Sequence, residues 1–195
     1  MERRQVVRFL GAALALPFLP RSAAAAIELG EQLHLRIDDA KGDVAFRTLN
    51  AAQQALVTEI AEMIIPESDT PGAKSVKVPE FIDLILSEWA SDKEKAMFLA
   101  GLGDIDAKAA ALGVQQQSGT AAARFVDLPA ARKTELLTAL DAERASKTGA
   151  ALAFARLKHL TVYGYFTSKP VQVNVLNTRM FFDGYHGDVP FTPAV

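Results

Sequence analysis

Hydrophobic side chains recur at helical spacing along most of the chain, and the clearest case is residues 51–65. One face of this predicted helix would carry Ala52, Leu56, Ile60, Met63 and Ile64. Asn50 stands at the expected N-cap and Gln53 follows three residues later, which is the signature of a capping box. Pro66 cannot continue a helix, so the helix is predicted to end there.

Similar patterns predict further helices at residues 80–90, from 91 to 101 or 103, and at 104–112, 127–145 and 150–167. Pro79 suits the first turn of the 80–90 helix, and Ser91 with Glu94 forms a second capping box. The side chains expected to face inward in the 80–90 helix are Phe81, Leu84, Ile85, Leu86 and Trp89. Gly101 and Gly103 are interpreted as a helix break.

Two segments lack a helical period. In residues 27–47 the alternation Leu-His-Leu-Arg-Ile at 33–37 is typical of a short strand or an extended linker. The tail from 170 to 195 is rich in aromatic and turn-forming residues. Strands and helices do not alternate, and no internal repeat is visible. The sequence therefore predicts an all-α, single-domain helical bundle of about five to six helices with an irregular aromatic C-terminal tail.

Residues 1–26 have the layout of a cleavable export signal, namely a basic head, a short apolar stretch at 9–20 and a run of small residues at 23–26. The apolar stretch is too short to span a bilayer, which takes about 20 residues. An Ala-x-Ala pattern places the cleavage after Ala25 or Ala26. The predicted domains are thus a signal at 1–26 and a helical domain at 27–195.

The adjacent Arg3 and Arg4, followed by Gln-Val-Val, look like the twin-arginine consensus. Signals of that class are addresses read by the twin-arginine translocase, which carries folded cargo. Arg21 near the cleavage site suits this route because a positive charge there disfavours export of an unfolded chain. The alternative is a general secretory signal with two neighbouring arginines. Both place the chain in the periplasm.

Composition and motif spacing exclude several kinds of chemistry. The formal net charge is −2, without a basic stripe, so nucleic-acid binding is not expected. The absence of cysteine excludes disulfides, thiolate metal sites, iron–sulfur clusters and covalent c-type haem. His34, His159 and His186 have no metal-site spacing. An unrecognised enzyme site using Asp69 and His186 would fall far short of a mechanism. We therefore expect no catalytic, cofactor-binding or metal site in this chain.

Aromatic residues are concentrated between residues 163 and 191. They are Tyr163, Tyr165, Phe166, Phe181, Phe182, Tyr185 and Phe191. Part of this set should pack in the core. Aromatic residues beside glycine and proline in irregular segments are also typical of protein interfaces.

Three segments resemble the gluconate 2-dehydrogenase subunit 3 family. They are Met-Ile-Ile-Pro at 63–66 with Asp-Thr-Pro-Gly-Ala at 69–73 and Val-Pro-Glu-Phe-Ile-Asp at 78–83; Leu-Lys-His-Leu-Thr at 157–161 with Gly-Tyr-Phe-Thr-Ser at 164–168; and Gly-Tyr-His-Gly-Asp-Val-Pro at 184–190. The resemblance implies a non-catalytic small subunit of a periplasmic sugar or polyol dehydrogenase associated with the inner membrane. Its large subunit would be a flavoprotein similar to the glucose–methanol–choline (GMC) family, holding the FAD, and a multi-haem c-type cytochrome could accept the electrons.

The resemblance also implies that this chain escorts and stabilises the flavoprotein, since such large subunits typically lack an export signal. Asp188 stands where related subunits often have a cysteine, so contact with the partner should be non-covalent. The residues expected at the interface are Pro71, Gly72, Tyr165, Phe166, Tyr185 and Pro190. The alternative is a self-standing periplasmic binding or chaperone-like module without a redox partner.

Overall fold

Six α-helices make up most of the described part of the chain in a computed structural model, which covers residues 22–39, 45–114, 124–143, 145 and 148–176. They are α1 (Ala23–Asp39), α2 (Ala51–Ile64), α3 (Val78–Glu88), α4 (Asp92–Val114), α5 (Ala130–Ala142) and α6 (Gly149–Thr167). A 3-10 turn at Phe125–Asp127 precedes α5, and a π-helical turn at Val171–Val175 follows α6. No strand occurs within these ranges, and the all-α prediction is confirmed.

Helix α6 is the centre of the bundle and packs against each of the helices α1 to α5. Its apolar residues are buried around most of the helix rather than along one stripe, as expected for a helix surrounded by others. Its buried side chains include Phe154, Leu157, Leu160, Tyr163, Tyr165 and Phe166. Together with residues of the outer helices they form one hydrophobic core.

The two predicted capping boxes are confirmed. The Asn50 side chain accepts a hydrogen bond from the N–H of Gln53, and the Gln53 side chain accepts one from the N–H of Asn50, both at 3.0 Å. Ser91 and Glu94 make the equivalent pair of contacts ahead of α4. These reciprocal bonds satisfy backbone donors that have no partner within the helix.

The predicted helix break at residues 101–103 is wrong, because α4 runs without interruption from Asp92 to Val114. A Cβ atom on Gly101 would lie 2.5 Å from the Cβ of Ala153 and 2.9 Å from the carbonyl oxygen of Gly149. Gly101 therefore allows α4 and the start of α6 to approach each other closely. Its role is in helix packing, which outweighs the low helix propensity of glycine.

The strand or linker predicted for residues 27–47 is also wrong over most of its length, since α1 occupies Ala23–Asp39. Leu29, Leu33 and Ile37, spaced four residues apart, are at most 6% exposed, while Leu35 is 57% exposed. A strand at 33–37 would place Leu35 on the same face as Leu33 and Ile37, whereas in the helix Leu35 faces outward. Tertiary burial follows the helical period instead.

Three smaller expectations fail at helix ends. Trp89, predicted to face inward, is 44% exposed because α3 ends at Glu88 and Trp89 is its C-cap. Ala52, in the first turn of α2, is exposed as well. The helix expected at 127–145 is shorter, and α5 begins only after Pro129.

Candidate partner interface

The loop between α2 and α3, residues 66–77, is held in place by a carboxylate of α2. Glu62 accepts a hydrogen bond from the N–H of Glu67 and another from the N–H of Lys74, both at 2.9 Å. A Cβ atom on Gly72 would lie 2.4 Å from Glu62 Oε1. Glycine at position 72 therefore leaves room for the carboxylate that joins the two ends of the loop.

The same loop is attached to the central helix. The Tyr165 hydroxyl of α6 donates a hydrogen bond of 2.9 Å to the carbonyl oxygen of Pro71. The N–H of Ala73 donates to the carbonyl oxygen of Ile65, also at 2.9 Å. Lys77, with φ of 59°, takes the left-handed conformation just before α3 begins. These contacts fix the backbone of the loop, while the side chains of residues 66–69 at its start remain exposed.

Four of the six residues expected at the interface lie in the described ranges, and Tyr165 links them, because its hydroxyl binds Pro71 and its ring contacts Phe166. Tyr165 and Phe166 are 4% and 6% exposed, with ring centroids 5.2 Å apart in an edge-to-face arrangement. Gly72 is buried and Pro71 is partly exposed. The two aromatic side chains thus serve the packing of this chain, and Tyr165 positions Pro71. Their direct contact with a partner stays a prediction.

The remaining predicted residues lie outside the described ranges. They are Arg3 and Arg4 of the export signal and Tyr185, His186 and Pro190 of the tail.

Asp83 of α3 is a structural residue that sequence reasoning missed. The residue is only 3% exposed. Its carboxylate accepts three backbone hydrogen bonds from the segment that leads into α2. Oδ1 accepts from Thr48 at 3.0 Å and from Leu49 at 2.8 Å, and Oδ2 accepts from Arg47 at 2.7 Å. A polar residue inside an otherwise apolar helix face (residues 81–86) is the sequence signal that could have identified it.

His34 joins α1 to the core through a polar contact. Its Nε2 lies 2.7 Å from the carbonyl oxygen of Gly164, and its ring stacks on Phe81 at a centroid distance of 4.8 Å. Burial lowers the pKa of His34 below its usual value, although the bond to Gly164 and the nearby Asp38 act in the opposite direction. Neutral His34 can donate from Nε2 to this carbonyl, so the ring acts as a structural donor.

A surface ion pair also holds α1 to α3. Arg36 makes two hydrogen bonds to the carboxylate of Glu88, at 2.6 and 2.7 Å, and Arg47 adds a third at 3.0 Å. The Arg36 guanidinium, more than any other group, holds the pKa of Glu88 below its usual range. Both arginine side chains are at least half exposed, so this pair orients α1 more than it stabilises the fold.

The described ranges contain no group of three histidine or acidic side chains that could hold a metal ion. An open groove of about 450 Å³ beside the start of α6 has Asp104, Lys108, Glu143 and Thr148 along its walls. None of the described helices combines the length and the apolar character needed to cross a membrane.

No curated protein and no solved structure matches the chain. The family model described as gluconate 2-dehydrogenase subunit 3 matches residues 51–184, which include α2 to α6 and the loop at residues 66–77. Helix α1 lies outside the matched range. The chain belongs to the gluconate 2-dehydrogenase subunit 3 family.

Proposed function

We propose that this chain is a non-catalytic small subunit of an FAD-dependent dehydrogenase acting on a sugar or polyol. The observation that carries the proposal is the family match over residues 51–184, because the family's name describes one subunit of a dehydrogenase. The flavin and the catalytic groups would then belong to a GMC-type large subunit.

The second part of the proposal is that the chain escorts its partner across the inner membrane. Arg3 and Arg4 form the twin-arginine pattern, and a translocase that carries folded cargo can export a bound flavoprotein along with this chain. The complex would then work in the periplasm at the inner membrane, with a multi-haem c-type cytochrome as a further partner.

The loop at residues 66–77 is the surface we propose for the partner. Residues 66–69 at its start are exposed, whereas Glu62 and Tyr165 fix its backbone. A surface that is already ordered loses little conformational entropy on binding, so it favours association. In this arrangement Tyr165 and Phe166 would support the interface from below, and the tail residues Tyr185 and Pro190 would contribute from outside the described ranges.

Purification from the native host tests the subunit role. The chain would carry a tag after Val195 and be isolated under mild conditions, with a flavin spectrum and the masses of co-purifying chains as readouts. A large flavin-containing chain supports the proposal. A single colourless chain, under conditions that keep known complexes together, would replace it with a self-standing periplasmic module.

Charge-preserving substitution tests the escort role. Replacing Arg3 and Arg4 with Lys should leave dehydrogenase activity in the cytoplasm, because the translocase reads the arginine pair as an address. The matched control replaces Arg8 and Arg21 with Lys, which keeps the pair and the charge. Normal periplasmic activity in the Arg3/Arg4 variant would rule out the escort role and leave the subunit role standing.

A further inference from the structure

The first turn of α1 contains the position at which the sequence predicts removal of the export signal. Helix α1 begins at Ala23, so the peptide bonds after Ala25 and Ala26 both lie inside it. Ala26 is 6% exposed, and its N–H donates a 3.0 Å hydrogen bond to the carbonyl oxygen of Ser22. Both peptide bonds are therefore part of a helix, and the bond after Ala26 follows a buried residue.

Tyr163 of the central helix binds this turn directly. Its hydroxyl donates a hydrogen bond to the carbonyl oxygen of Ala26, and its side chain is completely buried. If the signal is removed after Ala26, this carbonyl belongs to the bond that must be cut. Hydrolysis adds the hydroxyl of water to the Ala26 carbonyl carbon and a proton to the nitrogen of Ile27. The buried Tyr163 hydroxyl thus binds the oxygen of the carbonyl group that would be attacked.

The next turn of α1 is held even more closely against α6. A Cβ atom on Gly30 would lie 2.6 Å from Cβ and Cγ2 of Thr167. The backbones of α1 and α6 therefore approach each other at Gly30, one turn after Ala26. Leu33 and His34 continue the same buried face toward the end of α1.

We propose that packing of α1 against α6 protects the peptide bonds after Ala25 and Ala26, so that the folded subunit is a poor substrate for the signal peptidase. A protease needs an exposed, flexible segment that can extend into its active site. Here the first turn of α1 must unwind and leave Tyr163 before cleavage. When such opening is fast, cleavage follows the population of the open form. The inference rests on the export signal of the proposed function.

The test compares cleavage of full-length folded chains by purified signal peptidase in detergent, followed by intact mass. Tyr163→Phe removes only the hydroxyl that binds Ala26, and we expect about fivefold faster cleavage, the effect of one net hydrogen bond. Tyr165→Phe is the matched control, because it removes a tyrosine hydroxyl that binds Pro71 instead. Gly30→Val, which forces α1 away from Thr167, should be cleaved faster than either.

Equal cleavage rates for the wild type, Tyr163→Phe and Gly30→Val would overturn the proposal. Failure of all chains to be cleaved between residues 25 and 27 would also overturn it, because there would be no processing site to protect. Neither outcome affects the escort role, which the Arg3/Arg4 variant tests separately.

Hydrogen exchange on the wild-type chain provides a second measurement that does not depend on any variant. We expect the amides of residues 26–30 to exchange far more slowly than in an unprotected chain. Exchange at the rate of an unprotected chain would contradict the proposal.

Discussion

Substitution of Asp83 gives the sharpest test of how the bundle is held together. Oδ1 accepts from two buried or partly buried backbone donors, Thr48 and Leu49, whereas Oδ2 accepts from Arg47, whose side chain is exposed. Asp83→Ala removes all three bonds. Asp83→Asn keeps a carbonyl oxygen that can occupy the position of Oδ1, and places an amide group against the N–H of Arg47.

The two variants should therefore lower the free energy of unfolding by different amounts. A net hydrogen bond to a charged group contributes about 1.5–3 kcal/mol, and a buried donor left without a partner costs about 1–3 kcal/mol. Water can replace the bond to Arg47, so Leu49 and Thr48 carry most of the loss. We expect the free energy of unfolding to fall by about 3 kcal/mol for Asp83→Ala and by about 1 kcal/mol for Asp83→Asn.

Urea unfolding of the purified subunit, followed by circular dichroism, measures both losses, provided that the m-value is unchanged. The unfolding temperature should fall by about 6–12 °C for Asp83→Ala. Asp69→Ala, in the exposed start of the loop at residues 66–77, is the control and should stay within about 0.5 kcal/mol of the wild type. Equal losses in the two Asp83 variants, or a loss below about 1 kcal/mol in Asp83→Ala, would refute the assigned bonding.

Two further predictions concern buried rings. Burial lowers the pKa of His34, so the folded state binds fewer protons than the unfolded state as the pH falls below about 6.5. The stabilisation that is present above that pH is therefore lost as the pH falls, with a slope of at most about 1.4 kcal/mol per pH unit. Unfolding at pH 7 and pH 5 should show a smaller pH dependence in His34→Gln than in the wild type, and an equal dependence would contradict this. The paired change Tyr165→Ala and Phe166→Ala should lower the unfolding temperature of the isolated subunit by more than 10 °C, because each truncation of a buried aromatic costs about 3–5 kcal/mol. Loss of partner binding with unchanged stability would instead place both rings in the interface.

Local sequence signals were sufficient for α2, α3, α6 and the start of α4, because the causes of these boundaries are local. The capping residues Asn50 and Ser91 act on backbone donors within one turn, and Pro66 and Pro79 act through their own fixed φ and missing N–H. The boundaries of α2, α3 and α6 were accordingly predicted within one or two residues. The same reasoning failed at Gly101, where the deciding contact is with Ala153 of another helix.

The candidate interface shows the same division. Family motifs in the sequence identified Pro71, Gly72, Tyr165 and Phe166, and the structure binds Tyr165 to Pro71 and packs its ring against Phe166. The roles of these residues could not be predicted from the motifs, because they depend on contacts across long separations in sequence. The hydrogen bonds by which Glu62 holds the loop and Tyr165 binds Pro71 can be seen only in the folded chain.

The sequence by itself determined that the chain is all-α, where most helices begin, which family it belongs to, and that cysteine-based chemistry is absent. Helical periodicity, capping and motif spacing are properties of neighbouring residues, so they can be read without the fold. Tertiary structure decided that residues 23–39 form a helix, that Gly101 lies within a helix, and that Asp83 and His34 serve as buried partners of distant backbone groups. Each of these depends on packing between helices far apart in sequence, where burial outweighs local preference.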